Sequence, residues 1–317
     1  MYQQSALIFF SRKLFPGIKL FIVTAMLAVS CYSAAAASAN TNSNGTNSKK
    51  IIADVKFWNA NKTSSRQIYE LAVLKATLDA TQATHGKWKL IEDKTEYPAA
   101  EDEASIFRSK GFDIFATVAG NIKLANEKKI IIPIPLMKGL LGYRILIIRE
   151  SDREKFAGIT TAEQLQALRL GIPNTWADAG LFRRNGYPVV EKGSFDELFT
   201  RLRDKEFDYV SFGANEVDGV FNERAKAGGQ LAMESSLLVY YPFPLVFYVN
   251  PANPALAERI TSGLKIIGSN GVLDALFKLH YGKFIDDLKL KQRHVIALKN
   301  PMLPAEMADF KPSVLMD

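Results

Sequence analysis

The sequence predicts an α/β protein with two lobes, each a mostly parallel sheet flanked by helices. Three observations support this prediction. A chain of 317 residues is long enough for about two domains. From Ile51 onward, short β-rich runs alternate with stretches of helical periodicity, which is typical of parallel α/β units. These units fall into two sets joined by two extended apolar segments, 141–148 and 237–249, so we expect two crossover strands.

The first set begins with a strand predicted over 51–58 and a helix predicted over 65–81. Apolar residues of that helix recur at the spacing of one helix face, which favours packing on a core. The residues at this spacing are Ile68, Leu71, Leu74 and Leu78. The remaining elements predicted for this set are strands over 88–91, 113–118, 129–134 and 141–148, and a helix over 100–109 that ends at Gly111.

The second set contains two capping-box spacings, Thr160-x-x-Glu163 and Ser194-x-x-Glu197. Each predicts a helix start, because the paired side chains satisfy N–H groups that the first helical turn leaves free. The elements predicted for this set are helices over 160–168, 177–184, 194–202 and 214–227 and strands over 170–172, 189–191 and 208–212. Two further helices are predicted over 255–267 and 272–281.

The N-terminal residues follow the order of a secretory signal peptide, with basic residues, an apolar run and then small residues. Basic residues at positions 12, 13 and 19 precede the apolar run 20–29, and the small residues 37–39 (ASA) fit the cleavage site. We therefore expect a cleaved signal peptide over 1–39 and a flexible leader over the polar residues 40–50. Two alternatives are an uncleaved membrane anchor over 20–37 and a lipid anchor on Cys31.

Composition and motif content argue against several function classes. The formal net charge is +7, and three of these charges lie in the expected signal peptide. The other basic residues are interleaved with acids, whereas nucleic-acid-binding proteins concentrate them in a stripe. The single cysteine and three widely spaced histidines form no metal-ligand motif. G-x-S-x-G, phosphate-loop and G-x-G-x-x-G motifs are absent. We therefore expect no nucleic-acid partner, no metal, no cofactor and no catalytic residues.

Polar and aromatic residues stand where α/β proteins bind ligands, at the ends of strands and the starts of the following helices. Arginine grips a carboxylate with two hydrogen bonds, helix N-termini attract anions, and Trp and Tyr offer flat apolar walls. The candidate ligand-binding residues are Arg66, Thr117, Tyr143, Arg144, Trp176, Asp178, Glu216 and Tyr241. Each also has a structural interpretation, as a core residue, a stabiliser of a helix start or a solvated charge. A charge inside an apolar strand, such as Arg144, needs a partner or a cleft.

Four stretches of the chain, taken in order, carry a resemblance to a known family. Residues 111–117 (GFDIFAT) resemble a strand of that family that ends in a ligand-facing Thr, and residues 134–148 resemble its first crossover. Residues 194–212 resemble a helix–strand unit of its second lobe, and residues 256–282 resemble its C-terminal helix pair. The family is that of periplasmic type II solute-binding proteins, and within it the family 3-like, amino-acid-type receptors of ABC transporters.

The resemblance implies a two-lobed type II periplasmic-binding-protein fold that closes on a small solute by hinge motion. Lobe 1 would comprise 51–145 plus 246–317, with 286–317 extending past the family's usual end, and lobe 2 would comprise 146–245. The implied function is that of a periplasmic monomer, which captures a small anionic or zwitterionic, amino-acid-like solute and delivers it to an inner-membrane ABC permease. One alternative is a sensing or orphan binding module of the same fold that signals to a membrane partner. Another is an enzyme on this scaffold.

One departure from the family bears on the solute. Amino-acid receptors usually carry an arginine shortly after the ligand-facing Thr, where it grips the ligand carboxylate. Residues 125–128 are Ala-Asn-Glu-Lys here, and the family's F-S-x-P-Y does not follow them. We therefore expect Arg66 or Arg144 to supply the cation.

Overall fold

Two β-sheets with helices packed around them make up residues 53–97 and 99–315, the part of the chain that the computed structural model describes. The expected signal peptide, the expected leader and Cys31 lie outside the described residues. The strands are, in chain order, β1 (Ala53–Trp58), β2 (Trp88–Asp93), β3 (Ile114–Val118), β4 (Ile130–Ile131), β5 (Tyr143–Arg149), β6 (Leu170–Ile172), β7 (Val189–Glu191), β8 (Tyr209–Gly213), β9 (Leu231–Met233), β10 (Leu237–Tyr240), β11 (Leu245–Val249) and β12 (His294–Ala297).

Helices connect most of these strands, as the periodicity predicts. They are α1 (Ser64–Ala80), α2 (Gln82–His85), α3 (Ala100–Ala104), α4 (Arg153–Ala157), α5 (Ala162–Gln166), α6 (Asp178–Arg184), α7 (Leu198–Arg203), α8 (Val217–Val220), α9 (Pro254–Ser269) and α10 (Val272–Asp287). A π-helical turn, Phe221–Ala225, continues α8. Within the described ranges, every helix is too short or too polar to cross a membrane.

The first sheet has the strand order β2-β1-β3-β11-β4, and its strands β3 and β11 are buried on both faces. β1 runs parallel to β2 and β3, and β11 runs antiparallel to β3 and β4. Ile114 and Ala116 of β3 belong to one core cluster, and Phe115 belongs to another on the opposite face, where it stacks on Tyr248 at 5.8 Å. Because successive side chains of a strand point to opposite faces, two buried faces require an unbroken apolar run, which β3 and β11 supply.

The second sheet has the strand order β12-β10-β5-β8-β6-β7, with β9 also paired to β5. β5 is central and antiparallel to β8, β9 and β10, whereas β8, β6 and β7 run parallel to one another. All seven residues of β5 are buried. The chain passes from the first sheet to the second through residues 132–142 and returns through 241–244, so two crossovers are present. The first lies earlier than predicted, because Tyr143 and Arg144, which we expected in lobe 1, already belong to β5 of the second sheet.

The core face of helix α1 matches the predicted one only in part. Leu74 and Leu78 are buried as predicted, but Ile68, which shares their spacing, is 56% exposed. The buried residues of the helix are Tyr69, Glu70, Val73, Leu74, Thr77 and Leu78. A carboxylate, that of Glu70, therefore lies on the core face, where it needs a charged partner.

Several predicted elements are shorter than their patterns suggested. The strand predicted over 129–134 is limited to two residues, because Pro133 and Pro135 have no N–H groups for a sheet ladder. The helix predicted over 100–109 ends at Ala104, and the helix predicted over 214–227 is reduced to α8 and its π-helical turn.

The two predicted capping boxes have different outcomes. The box before α5 is displaced by one residue and consists of Thr161 and Gln164. At the other, the Ser194 N–H donates to Glu197 Oε2 at 2.7 Å, and the Glu197 N–H donates to Ser194 Oγ at 3.4 Å. These reciprocal bonds close the turn before α7, which itself begins only at Leu198.

The segment after α10 supplies a strand that the sequence analysis did not predict. We expected all of 246–317 to belong with the first sheet, but β12 pairs in parallel with β10 in the second sheet. Of its four residues only Ile296 is buried, so the segment lacks the apolar pattern of an interior strand. The chain then returns to the first sheet, where Met307 joins the cluster of Trp58, Phe115 and Tyr248.

The close packing of α9 on α1 is testable at two glycines. A β-carbon at Gly263 would lie 2.3 Å from the Thr77 carbonyl oxygen, whereas one at Gly268 would meet no atom within 4 Å. We expect Gly263→Ala to destabilise the protein by about 1–3 kcal/mol through overpacking. Gly268→Ala, the matched control on the same helix, should stabilise it by up to about 1 kcal/mol through helix propensity. Urea unfolding of both variants checks this, and effects of the same sign would contradict it.

Candidate functional site

Loops from the two sheets meet at one hydrogen bond. The loop after β1 leads to Thr63, and the loop after β8 leads to Glu216. The Thr63 hydroxyl donates to Glu216 Oε2 at 3.3 Å, and the Gly213 N–H donates to Glu216 Oε1 at 3.4 Å. Three charged residues surround this contact from the side of the first sheet. We call the group formed by Lys62, Thr63, Arg66, Glu70 and Glu216 the inter-sheet cluster.

The buried carboxylate of Glu70 organises the first-sheet side of the cluster. Lys62 Nζ lies 2.5 Å from Glu70 Oε2, and Arg66 Nη2 lies 2.8 Å from Glu70 Oε1. Lys62 also donates to the Ala116 carbonyl oxygen at 3.2 Å, which ties the loop to β3. The side chains of Glu70 and Lys62 are 0% and 3% exposed, so both charges depend on this pairing. Two cations share one carboxylate, which leaves this side with an excess positive charge.

Glu216 compensates this excess from the second sheet. Burial disfavours the charged form of Arg66, but the carboxylates of Glu70 and Glu216 outweigh burial and raise its pKa. For Lys62 burial prevails over the attraction of Glu70, and its pKa is lowered. The cluster therefore contains a cation pair and an opposing carboxylate that come from different sheets.

Two polar groups near the cluster have no hydrogen-bond partner among the described residues. Asn215, beside Glu216, is 3% exposed, and both its amide oxygen and its amide nitrogen are unpartnered. Tyr281 of α10 is 1% exposed with an unpartnered hydroxyl, and its ring packs edge-on against Tyr69 at 4.9 Å. Burial raises the Tyr281 pKa, and the charge of Glu70 adds to this effect. Unpartnered buried polar groups are uncommon, so these two have capacity for a ligand or a water.

Three other predicted residues meet in the second sheet. Arg144 Nη2 lies 2.6 Å from Asp178 Oδ2, and the Tyr241 hydroxyl donates to the same oxygen at 2.8 Å. The Arg144 guanidinium also lies 5.7 Å from the centre of the Tyr241 ring and donates to the carbonyl oxygens of Leu141 and Ser211. Arg144 is 2% exposed, Asp178 7% and Tyr241 0%. These residues satisfy one another, and the Nε of Arg144 is the part of its guanidinium without a partner.

The remaining predicted residues lie in separate environments. Thr117 Oγ1 accepts a hydrogen bond from Asn121 at 3.0 Å. Tyr143 is buried against Tyr240, with ring centres 4.7 Å apart. Trp176 is half-buried and packs on aromatic residues of the second sheet. Hence five of the eight candidates form two groups, Arg66 with Glu216 and Arg144 with Asp178 and Tyr241, and the other three belong to neither group.

Lys62 and Glu70 are not among the residues predicted from the sequence, whereas Asn215 stands beside the predicted Glu216, after the same strand. Glu70 stands four residues after Arg66, which is the spacing of a helical ion pair, and this signal was available. The sequence gives no such signal for Lys62, because the burial of its side chain depends on how the loop after β1 folds over α1 and β3. Within the described residues, no group of three or more metal-binding side chains occurs.

A surface depression of about 580 Å³ lies away from this region, beside α7. Its lining residues are Lys192, Gly193, Asp196, Glu197, Thr200, Arg201 and Glu206. The charged groups at its centre pair with each other, since Arg201 Nη2 lies 2.8 Å from Glu206 Oε2. We therefore place the candidate site at the inter-sheet cluster.

Comparison with known proteins finds matches to the fold of this chain but none to its sequence. No protein-family model matches the sequence, and no curated protein matches it. A Salmonella typhimurium periplasmic binding protein with high arginine specificity aligns with a TM-score of 0.50 at 13% identity, over 72% of this chain and 98% of its own. A His/Glu/Gln/Arg/opine family-binding protein from Silicibacter pomeroyi, solved with lysine, aligns with a TM-score of 0.51 at 12% identity, over 73% and 98%. The chain has the two-lobed type II periplasmic binding-protein fold.

This result confirms the two-lobed α/β fold class that the sequence predicts, and the two sheets with their helices are its two lobes. The sheets are mixed rather than mostly parallel, because β11 runs antiparallel to β3 and β4, and β5 runs antiparallel to β8, β9 and β10. A histidine kinase sensor domain with similarity to periplasmic binding proteins shares the fold, with a TM-score of 0.52 at 12% identity, over 73% of this chain and 96% of its own. At such identities the likeness concerns the fold alone. The inter-sheet cluster lies where the two lobes of this binding-protein fold face each other.

The Arg144–Asp178 pair yields a stability prediction. Asp178→Asn removes the counter-charge while Arg144 remains buried, so we expect a loss of about 3 kcal/mol or more in the free energy of unfolding. The control is Glu258→Gln, an equally conservative change at an exposed position of α9, for which we expect a change of less than about 0.5 kcal/mol. Adding Arg144→Met to Asp178→Asn should recover part of the loss. Urea unfolding measures all three, and an Asp178→Asn variant as stable as wild type would contradict the coupling.

Proposed function

We propose that this protein is a periplasmic solute-binding protein that captures a small anionic or zwitterionic, amino-acid-like solute between its lobes and delivers it to an ABC permease. The observation that supports this most is the inter-sheet cluster. It places an excess positive charge on one lobe, where Lys62 and Arg66 share the carboxylate of Glu70, and a carboxylate on the other, Glu216. A zwitterion carries the complementary pair of charges.

The proposed solute contacts follow from the two groups of candidate residues. Arg66 is 14% exposed, and we expect it to take the anionic end of the solute, with Glu216 facing the cationic end. Thr117, Trp176 and Tyr143 would line the cleft around them. We expect Arg144, Asp178 and Tyr241 to support the cleft floor, because their hydrogen bonds are largely committed to one another.

Two proteins of the same fold agree with an amino-acid-like solute. The Salmonella typhimurium protein has high arginine specificity, and the Silicibacter pomeroyi protein was solved with lysine. The sensor domain of the histidine kinase favours a second candidate function, in which the protein reports solute binding to a membrane signalling partner. An enzyme on this scaffold is a weaker candidate, because these neighbours are binding proteins.

A thermal-shift screen against amino acids, small peptides, organic acids, sugars and polyamines tests solute binding. A ligand that binds only the folded protein adds about 2.7 kcal/mol of stability at a hundredfold excess over Kd. We expect one class of amino-acid-like compounds to raise the Tm. Arg66→Met and Glu216→Gln should each abolish that shift, whereas the exposed Arg184→Met on α6 should leave it intact.

Either of two results counts against this proposal. One is a flat screen on folded protein that is free of carried-over ligand. The other is a shift that survives both cleft substitutions, which would place the solute elsewhere. Once a solute is known, stimulation of the ATPase of a co-purifying ABC permease would favour transport, and activation of a membrane kinase would favour sensing.

The proposed location is testable at the mature N-terminus. Cleavage after residue 39 predicts that the protein recovered from the cell envelope begins at Asn40. Intact-mass measurement and N-terminal sequencing distinguish this from the alternatives. A lipid-modified N-terminal Cys31 would indicate a lipoprotein, and a full-length chain would indicate an uncleaved anchor.

A further inference from the structure

The chain passes between the lobes at the two crossovers. The segment that follows α10 adds two further passages. α10 packs on the first lobe, where Tyr281 contacts Tyr69 of α1. The chain then enters the second lobe as β12, which pairs with β10 in the register Leu237 to His294 through Tyr240 to Ala297. Arg293 anchors this entry by donating to the carbonyl oxygens of Leu288, Glu234 and Leu237 at 2.8, 2.8 and 3.2 Å.

The same segment is held where it leaves the second lobe. The side chain of Asn185, which caps the C-terminus of α6, donates to the Lys299 carbonyl oxygen at 2.8 Å and accepts from the Lys299 N–H at 2.9 Å. Next to it, Asn300 Nδ2 donates at 2.8 Å to the carbonyl oxygen of Pro242, which lies in the returning crossover. These contacts fasten the segment to the second lobe and to the hinge at once.

The segment then packs tightly on the first lobe. Met307 is 4% exposed in the cluster of Trp58, Phe115 and Tyr248, and Leu303 and Phe310 pack against that cluster. The Ser313 N–H donates to the Lys138 carbonyl oxygen at 3.0 Å, beside the other crossover.

Two glycines allow this segment to pack closely on the first lobe. Both have φ near +80°, at +79° for Gly120 and +82° for Gly139. A β-carbon at Gly120 would lie 1.9 Å from the Met302 carbonyl oxygen, and one at Gly139 would lie 2.7 Å from Pro312. The backbone of the segment therefore approaches the first lobe more closely than any side chain would permit.

We propose that residues 288–315 form a strap that fastens the two lobes together and limits how far they open. A molecule with two crossovers opens by rotation about those two segments alone. Here, opening must also detach one end of the strap, either by breaking the β10–β12 ladder or by exposing Met307 and its neighbours. The strap is a property of the hinge and goes beyond the proposed solute binding.

The distance between the lobes tests the strap. Spin labels at Lys75→Cys in α1 and Arg184→Cys in α6, both exposed positions, report this distance by double electron–electron resonance, in a Cys31→Ser background. Truncation after Leu298 removes the part that grips the first lobe. Gly120→Ala disturbs the same grip, and Gly111→Ala is its matched control, because that residue also has a positive φ (+71°) but nothing lies within 4 Å of an added β-carbon.

We expect the truncated chain and Gly120→Ala to give longer and broader distance distributions than wild type, and Gly111→Ala to match wild type. An unchanged distribution in the folded truncated chain would overturn the proposal. If that chain does not fold, Gly120→Ala decides. Hydrogen exchange across 299–315 in Gly120→Ala separates two further outcomes. Raised exchange with an unchanged distance would show that the segment is detached but restrains nothing. Retained protection with an unchanged distance would show that the segment does not pack tightly at Gly120, and either result overturns the proposal. No solute enters the measurement, so its failure is distinct from failure of the proposed function.

Discussion

Arg144 brings a positive charge into the middle of the second sheet, and the chain around it is arranged to satisfy that charge. Its guanidinium donates to the carbonyl oxygen of Leu141 in the outgoing crossover and to that of Ser211 in β8. Asp178, at the start of α6, supplies the counter-charge, and Tyr241 of the returning crossover donates to the same carboxylate. A desolvated ion pair is tolerated only when its partners are all in place. One charge therefore fixes both crossovers, β8 and α6 relative to each other.

The contact between the facing loops of the lobes is much weaker than this anchor. Across the cleft, the bond from Thr63 to Glu216 joins a hydroxyl to a half-buried carboxylate at 3.3 Å, whereas the Arg144–Asp178 pair is fully buried at 2.6 Å. Partly exposed contacts of this kind contribute little to stability and are easily exchanged for water. The molecule is therefore held by strong contacts at the crossovers and by weak contacts at the inter-sheet cluster. This arrangement suits a cleft that opens to admit a small molecule.

The sheets were predictable because strands such as β3 and β11 are apolar at almost every position, which two buried faces require. Arg144 was recognisable as unusual for the same reason, since a charge interrupts such a run. Its partner was not, because Asp178 lies 34 residues further on and depends on how α6 packs against β5. Lys62 shows the same limit, as its burial is created by tertiary packing alone. β12 was not predicted, because backbone hydrogen bonds to β10 place it in the sheet and most of its side chains are exposed.

The position of β11 constrains the order in which the chain can fold. β11 lies between β3 and β4 and is the only strand of the described residues that holds β4 in the first sheet. The chain of β11 is made only after all of β5 to β10, and synthesis proceeds from the N-terminus. Until residues 245–249 emerge, one side of β3 has no neighbour, and closing so long a loop is slow. The lobe that begins first must therefore wait for the other to be synthesised, and during that interval the unpaired edge of its apolar strand β3 is exposed to aggregation.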